Sequence, residues 1–358
     1  MKIKLFFLSL VLLTCGFSCK REHKIAIERA FYYWKNNEYK IDTTEITYLK
    51  DLKIKKLYVK FFEVESDSFY GAIPTAKTYL ELYKGRFQQK EDSTKFKSLS
   101  QIEFIPVIFI RNDVFNNLTL KSIDQLAINI AFLTKKYYDE RFSVSDSSLK
   151  EIQIDCDWTK STKDKYFYLL TKLKIELNIN LISCTLRLYP YKFSNIMGVP
   201  PVDKVTLMCY NLISPRTLNE NSILSNNELI KYIKPSKKYP LHIDFALPVY
   251  SWMQIYHNDR LVGIINPLKL DSTQIKQRNN LWFDIIKDIE IEDNYLRVGD
   301  RIKFEEINSI DIEKTIDSLK KYVQIDKNTT VSLFHLDNNN LKKYNNETLN
   351  HFFSDFAK

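Results

Sequence analysis

Apolar runs separated by amphipathic stretches follow one another along most of this chain. Residues 102–110 (IEFIPVIFI) are almost continuously apolar, which is typical of a strand covered on both faces. Residues 120–141 follow with apolar side chains at helical spacing, and the alternation of strand and helix recurs about eight times. Repeated βα units indicate a parallel sheet, and eight of them favour a closed (β/α)8 barrel of the TIM type. An open doubly wound sheet is the alternative, but no glycine-rich turn suited to phosphate follows a predicted strand.

In several predicted strands apolar and polar residues alternate. The two sets of alternate positions are called the apolar parity and the polar parity of the strand. Successive strand residues point to opposite faces, so Asp155 and Asp157 share a face in the run 152–158 (IQIDCDW). Three later strands show the same alternation. If the apolar parity packs on the helices, the polar parity lies near the barrel axis and upper rim; the residues predicted there are Asp155, Asp157, Arg187, Tyr210 and Asp244. Buried charges need partners, so a purely structural network is the alternative to a binding site.

The N-terminus has the pattern of an export signal. A short basic start precedes an apolar run that is too short to span a bilayer as a helix. Cys19 follows a small residue and precedes an abruptly polar stretch, which resembles the lipobox of bacterial lipoproteins and implies cleavage before this cysteine and lipidation of its thiol. Cys15 fits less well, and an ordinary secretory signal is the alternative. We expect a signal peptide at 1–18, a tether at 19–29, and a protein held by its lipid in the bacterial cell envelope, at the outer membrane or the periplasmic face.

The remaining residues, 30–358, suit a single barrel domain with residues 251–309 inserted on its rim after the seventh strand. Two hairpins are predicted within this insert, at 252–266 and 289–306. Apolar residues make up 44% of the chain, enough for a substantial core, and the formal net charge of +9 comes from scattered lysines. Because no arginine-rich tract is present, we predict a solvated basic surface, and because an exported protein seldom meets nucleic acid, we predict no nucleic-acid partner. We also expect a monomer.

The spacing of cysteines and histidines indicates no metal site, and the sequence predicts no cofactor. Cys156, Cys184 and Cys209 lie in apolar strands and match no zinc pattern, so we predict buried free thiols. A disulfide between Cys156 and Cys184 is the alternative that an oxidising compartment would allow. The histidines are dispersed, although His335 and Asp337 near the last strand's end form an acid–base candidate.

Two strand motifs resemble those of family-18 glycoside hydrolases, the chitinases and chitinase-like lectins. Residues 155–158 (DCDW) are similar to part of the family's fourth-strand signature, D-x-x-D-x-D-x-E, and residues 208–211 (MCYN) are similar to its sixth-strand M-x-Y-D. The I-Q-I-D-x-D run is also similar to an uncharacterised bacterial family of predicted barrels. The family-18 resemblance implies a barrel that binds a carbohydrate, with Asp157 orienting the substrate's N-acetyl group and Tyr210 contacting the reacting sugar.

The chain departs from the family pattern at the position of the catalytic acid. Thr159 stands where the resemblance places the general acid, and Asn211 stands where it places the aspartate of the sixth-strand motif. General acid help is typically worth about 10²–10⁴-fold, so family-18 chemistry is not expected. Glu63 and Glu65, at the end of the second strand, are alternative acids for a hydrolase that would use Asp157 as their partner. The alternative is that both residues form exposed ion pairs on the rim and have no catalytic role.

Aromatic residues at strand ends complete the predicted site. Trp34, Trp158 and Trp252 lie at or just after strand ends, where indoles either stack on sugar faces or pack on neighbours. The predicted substrate-binding set is Asp155, Arg187, Tyr210, Asn211, Asp244, Trp34, Trp158 and Trp252. We therefore expect a lipid-anchored protein that binds a glycan, and the alternative is a structural or assembly lipoprotein of the cell envelope.

Overall fold

Eight parallel strands close into a barrel in the structure, a computed structural model that describes residues 26–82, 99–142, 149–234, 238–268, 270–291 and 294–357. The barrel strands are β1 (Glu28–Tyr33), β2 (Lys56–Asp67), β3 (Glu103–Ile110), β4 (Glu151–Asp155), β5 (Leu181–Leu186), β6 (Lys204–Met208), β7 (His242–Pro248) and β8 (Thr330–Phe334). The ring closes because β1 pairs in parallel with both β8 and β2. The predicted (β/α)8 barrel is therefore confirmed, with one extra strand, Gly71–Thr75, paired antiparallel with β2 outside the ring.

Helices cover the outside of the barrel and bury its apolar parity. They are α1 (Thr43–Asp51), α2 (Leu120–Arg141), α3 (Lys163–Leu177), α4 (Leu188–Lys192), α5 (Ser194–Met197), α6 (Asn226–Ile233), α7 (Ser309–Tyr322), α8 (Asn338–Leu341) and α9 (Asn346–Phe356), with a 3-10 turn at Asn112–Phe115. Two of the long helices begin where a side chain caps the first turn; Thr119 accepts from the Ser122 amide before α2, and Asn308 from the Asp311 amide before α7. None of the described helices is long and apolar enough to cross a membrane.

Some element boundaries differ from those that the hydrophobic pattern predicts. β1 begins at Glu28, inside the predicted tether, and the predicted signal peptide with Cys19 lies outside the described residues. β5 ends at Leu186, just before Arg187, because the chain turns into α4. Pro190 is tolerated there because it lies in the first turn of α4, where the amide has no partner within the helix.

A five-stranded antiparallel sheet forms the small insert that was predicted after the seventh strand. Its strands are Trp252–His257, Arg260–Ile265, Ile275–Gln277, Trp282–Ile285 and Arg301–Glu305. The first predicted hairpin is confirmed by the pairing of the first two strands. The second is wrong, because 289–291 pairs with 294–296 while 301–305 pairs with 252–257. That pairing sets Ile302 beside Ile255 in the insert's own apolar cluster, which the predicted hairpin would have left open.

The barrel interior is polar, as the strand parity predicted. Gln153 links two strands, because it accepts a hydrogen bond from the Tyr32 hydroxyl at 2.7 Å and donates one to Thr206 at 3.0 Å. The apolar parity faces the helices, and the three described cysteines on it are buried free thiols, as predicted. The alternative disulfide between Cys156 and Cys184 is not formed.

Deeper in the barrel, one lysine holds two buried carboxylates. Lys204 Nζ lies 3.0 Å from a carboxylate oxygen of Glu151 and 3.0 Å from one of Asp244. Asp244 also accepts a hydrogen bond from the Thr330 amide at 2.6 Å, and its side chain is 1% exposed. The prediction that Asp244 binds substrate near the rim is therefore wrong, because its charge is used to balance Lys204 inside the barrel.

Candidate functional site

A carboxylate–arginine pair lies at the mouth of the barrel, where β4 and β5 end. Arg187 donates from Nε to Asp157 Oδ1 at 2.6 Å and from Nη2 to Asp157 Oδ2 at 3.0 Å. Its third nitrogen, Nη1, lies 3.4 Å from the Tyr210 carbonyl oxygen. The bidentate geometry fixes both side chains. Because the Asp157 side chain is 51% exposed, water screens the pair, and both groups are accessible to a ligand.

Asp155 lies two residues before Asp157 on the same strand face, but it is buried. Its carboxylate accepts a hydrogen bond from the Thr185 hydroxyl at 2.6 Å. Burial raises the pKa of Asp155 from 3.8 to about 6; the negative charge of Asp157 adds to this rise, and the Thr185 hydrogen bond opposes it. Two neighbouring carboxyl groups with such different surroundings are the usual basis for a division between a proton donor and a charged partner.

Tyr210 presents an unpaired hydroxyl inside the mouth. Its ring is 2% exposed and packs against Phe334, with ring centres 5.1 Å apart, and edge-on against Tyr250 at 6.0 Å. The hydroxyl has no hydrogen-bond partner among the described residues. Burial raises the pKa of Tyr210 well above its ordinary value, so the hydroxyl stays protonated and able to donate. Leaving such a group unpaired costs about 1–3 kcal/mol, which a ligand oxygen would recover.

Aromatic side chains that follow β1, β7 and β8 form a continuous arc on one side of the mouth. We define the aromatic arc as Trp34, Phe334, Tyr250 and Trp252. Phe334 connects its members, because its ring centre lies 5.6 Å from that of Trp34 and 5.6 Å from that of Tyr250. Trp252 continues it, with its ring centre 5.6 Å from that of Tyr250. Asp155, Asp157 and Arg187 occupy the opposite side, so the mouth has an aromatic half and a charged half.

Phe334 and Tyr250 were not predicted from the sequence. A signal for Phe334 was present, because it shares the strand parity of Thr330 and Ser332, and both of these side chains are buried in the barrel. Tyr250 is held by its neighbour Asn211, whose side-chain oxygen accepts a hydrogen bond from the Tyr250 hydroxyl at 2.6 Å. Asn211 is exposed and has a left-handed backbone conformation (φ 53°), which asparagine adopts more readily than most residues.

The two alternative acids have different surroundings. Glu63 and Asp155 both pair in register with Phe109, so their Cα atoms are two strand spacings, about 10 Å, apart on one face. The Glu63 carboxylate forms an ion pair with Lys60. Glu65 lies on the rim, where Arg111 Nη1 is 3.6 Å from its carboxylate, as the alternative of an exposed ion pair predicted. Of the two, Glu63 is therefore the one whose position suits a partner for the charged half of the mouth.

Trp158 points away from the mouth and packs against α3. Its side chain is 4% exposed, its ring stacks on Tyr166 with centres 5.4 Å apart, and Nε1 donates to the Met197 carbonyl at 3.2 Å. Strand alternation places it opposite Asp157, so Trp158 does not face the barrel mouth where the predicted site lies. Thr159, at the position of the family's acid, bonds through its hydroxyl to Ser161 and Thr162 in the turn before α3.

Solved structures similar to this chain share its barrel. The spore cortex-lytic enzyme SleL from Bacillus megaterium QM B1551 gives a TM-score of 0.51 at 15% identity, over 94% of this chain and 75% of that chain. SleL from Bacillus cereus gives 0.49 at 13% identity, over 94% and 76%. The chitinase ICChI from Ipomoea carnea gives 0.46 at 11% identity, over 91% and 99%. No family model and no curated protein matches the chain. At 15% identity the likeness to SleL from Bacillus megaterium concerns the fold alone.

Proposed function

We propose that the mouth of the barrel binds a carbohydrate. The observation that carries this proposal is the buried, unpaired hydroxyl of Tyr210, set between the aromatic arc and the charged half of the mouth. A sugar ring has apolar C–H faces that stack on aromatic rings and hydroxyl groups that pair with carboxylates and arginine. Asp157 and Arg187 would contact those hydroxyl groups, and Tyr210 would donate to a ring substituent.

The geometry supports binding more than family-18 hydrolysis. Thr159 offers no proton donor near neutral pH, and its hydroxyl is already used in the turn before α3. A hydrolase would need Glu63 or Asp155 as the acid. Turnover of chitin oligosaccharides and peptidoglycan fragments by purified protein tests this directly, and activity that Glu63→Gln removes would replace the binding proposal with an enzymatic one.

Tyr210→Phe tests the binding proposal, because it removes only the hydroxyl. The expected result is about 2- to 10-fold weaker glycan binding, the net worth of a neutral hydrogen bond, with no loss of stability against urea. Binding is followed by tryptophan fluorescence during titration with chitin, peptidoglycan and host-type glycans. Tyr239→Phe is the matched control, because its hydroxyl is also buried and unpaired but lies just before β7, away from the mouth. The absence of any response across these glycans would contradict the proposal.

A structural or assembly role is the second candidate, and the paired interior favours it. Lys204, Glu151, Asp244 and Gln153 all find partners within the barrel, as a purely structural network requires. This role predicts that Asp157→Ala lowers the free energy of unfolding and changes no binding. The carbohydrate proposal predicts the reverse, because an exposed ion pair contributes about 1 kcal/mol or less to stability.

We also propose that the protein is anchored in the cell envelope by a lipid on Cys19. The sequence of residues 1–21 supports this, since a basic start, an apolar run and a serine precede the cysteine. Fractionation of bacteria that express the full chain tests it. Cys19→Ser should move the protein out of the membrane fraction, whereas the matched variant Cys15→Ser should leave it there; the opposite pattern would assign the lipid to Cys15.

A further inference from the structure

We propose that a groove beside the Asp157–Arg187 pair binds an aliphatic acyl or alkyl chain carried by the carbohydrate in the mouth. This inference rests on the proposed function. The side groove lies between the loops after β4 and β5 and has a volume of about 360 Å³. Apart from Asp157 and Arg187, the residues that line it are Trp158, Thr159, Lys160, Tyr189, Pro190, Ile196 and Met197.

Two apolar side chains of the side groove are exposed. Tyr189 is 48% exposed and Ile196 42%, and they lie beside the buried side chains of Trp158 and Met197. Apolar surface left open next to charged groups is typical of a binding groove. An apolar cavity of about 150 Å³ suffices for benzene, so the side groove has room for a chain of several carbon atoms.

The walls of the side groove are fixed before any ligand binds. The Trp158 indole donates to the Met197 carbonyl at 3.2 Å, which ties the loop after β4 to α5. Gly198, just after α5, has φ +75°, and a Cβ atom there would lie 2.8 Å from Phe167 of α3. This close approach holds α5 against α3. A preformed apolar wall loses little conformational freedom when a chain binds, so burial of the chain contributes to affinity.

The side groove is continuous with the mouth of the barrel, and this continuity indicates which ligand the groove binds. Asp157 and Arg187 form the end of the side groove and also the charged half of the mouth. A separate apolar molecule would leave these charges unused, whereas a sugar paired with them can extend its apolar substituent into the groove. The exposed Lys160 on the rim keeps the entrance polar, which suits a ligand with a polar head and an aliphatic chain.

A pair of glycosides that differ only in chain length tests this inference. We expect n-hexyl N-acetyl-β-D-glucosaminide to bind the full-length protein at least tenfold more tightly than the methyl glycoside, since each fully buried methylene is worth about fourfold in affinity. Ile196→Asp should abolish this difference while binding of the methyl glycoside stays the same. Ile175→Asp is the matched control, because Ile175 is a 65% exposed isoleucine on α3 outside the side groove.

The outcomes separate the two proposals. Equal affinity for the hexyl and methyl glycosides would overturn the side groove and leave the carbohydrate site intact. A preference for the hexyl glycoside that survives Ile196→Asp, or that Ile175→Asp also abolishes, would likewise overturn the side groove. If neither glycoside binds, both proposals are overturned. Urea unfolding of each variant confirms that a lost preference does not reflect a lost fold.

Discussion

Asp155→Asn should stabilise the protein in a manner that depends on pH. Burial raises the pKa of Asp155 from 3.8 to about 6, so the folded protein holds a proton on this carboxyl group that the unfolded chain releases. The stabilising effect of the protonated form is complete below pH 3.8 and is lost as the pH rises through about 6. Above that pH the buried group must be charged at the expense of the folded state.

The magnitude follows from the difference between the two pKa values. A rise of about 2 pH units corresponds to about 3 kcal/mol, and asparagine, which carries no charge, removes this penalty. We therefore expect the free energy of unfolding of Asp155→Asn to exceed that of the wild type by about 3 kcal/mol at pH 8 and by only about 0.5 kcal/mol at pH 4. The asparagine side-chain oxygen can still accept the hydrogen bond from Thr185, which limits any other change.

Urea unfolding followed by tryptophan fluorescence at pH 4, 6 and 8 measures these values. Any fixed effect of the amide group cancels between two pH values, so the change with pH is the decisive quantity. Asp164→Asn is a control, because this aspartate has a 91% exposed side chain on α3. A difference between Asp155→Asn and wild type that is the same at pH 4 and pH 8 would refute the reasoning, because it would mean that water reaches the Asp155 carboxylate.

Two further substitutions test the buried networks. Lys204→Met should cost about 3–5 kcal/mol in urea unfolding, because it leaves the carboxylates of Glu151 and Asp244 buried without a cation; a loss below about 1 kcal/mol would contradict this. Glu305→Gln should loosen the insert, because the Glu305 carboxylate pairs with Lys303 at 2.5 Å and accepts a hydrogen bond from Trp252 Nε1, also at 2.5 Å. Hydrogen exchange should then rise in 252–257 and 301–305 and stay unchanged in β4; equal exchange everywhere would show that the network is dispensable.

The alternation of apolar and polar residues predicted which strand faces line the barrel interior, but it identified only some of the charged residues there. Asp155 was placed correctly because a period of two leaves one choice of face. Glu151 and Lys204 obey the same parity, yet their strands begin with them, and a charged residue at a strand end is usually solvated. Only the three-dimensional closure of the barrel brings Glu151, Lys204 and Asp244 to one point, because they lie on strands β4, β6 and β7.

The tryptophans show why a residue type near a strand end does not identify a contact with a ligand. Trp34 and Trp158 both follow barrel strands, but Trp34 continues the inward parity of Tyr32, whereas Trp158 continues the outward parity of Cys156. Trp34 consequently packs beside Phe334 at the mouth, and Trp158 packs on α3. Parity counted from Asp155 would have turned Trp158 outward from sequence alone.

The arrangement of exposed and buried groups explains why binding is the better-supported function. Groups that could move protons are restrained, since Asp155 is 7% exposed and bonded to Thr185, and Thr159 is used in the turn before α3. Groups that could hold a ligand are accessible, since Asp157 and Arg187 are partly exposed and both border the side groove. A hydrolase needs a proton-transferring group that is free to act at the bond that breaks. A binding site needs only accessible groups that can hold the ligand. This contrast supports the proposed binding site over a hydrolytic one.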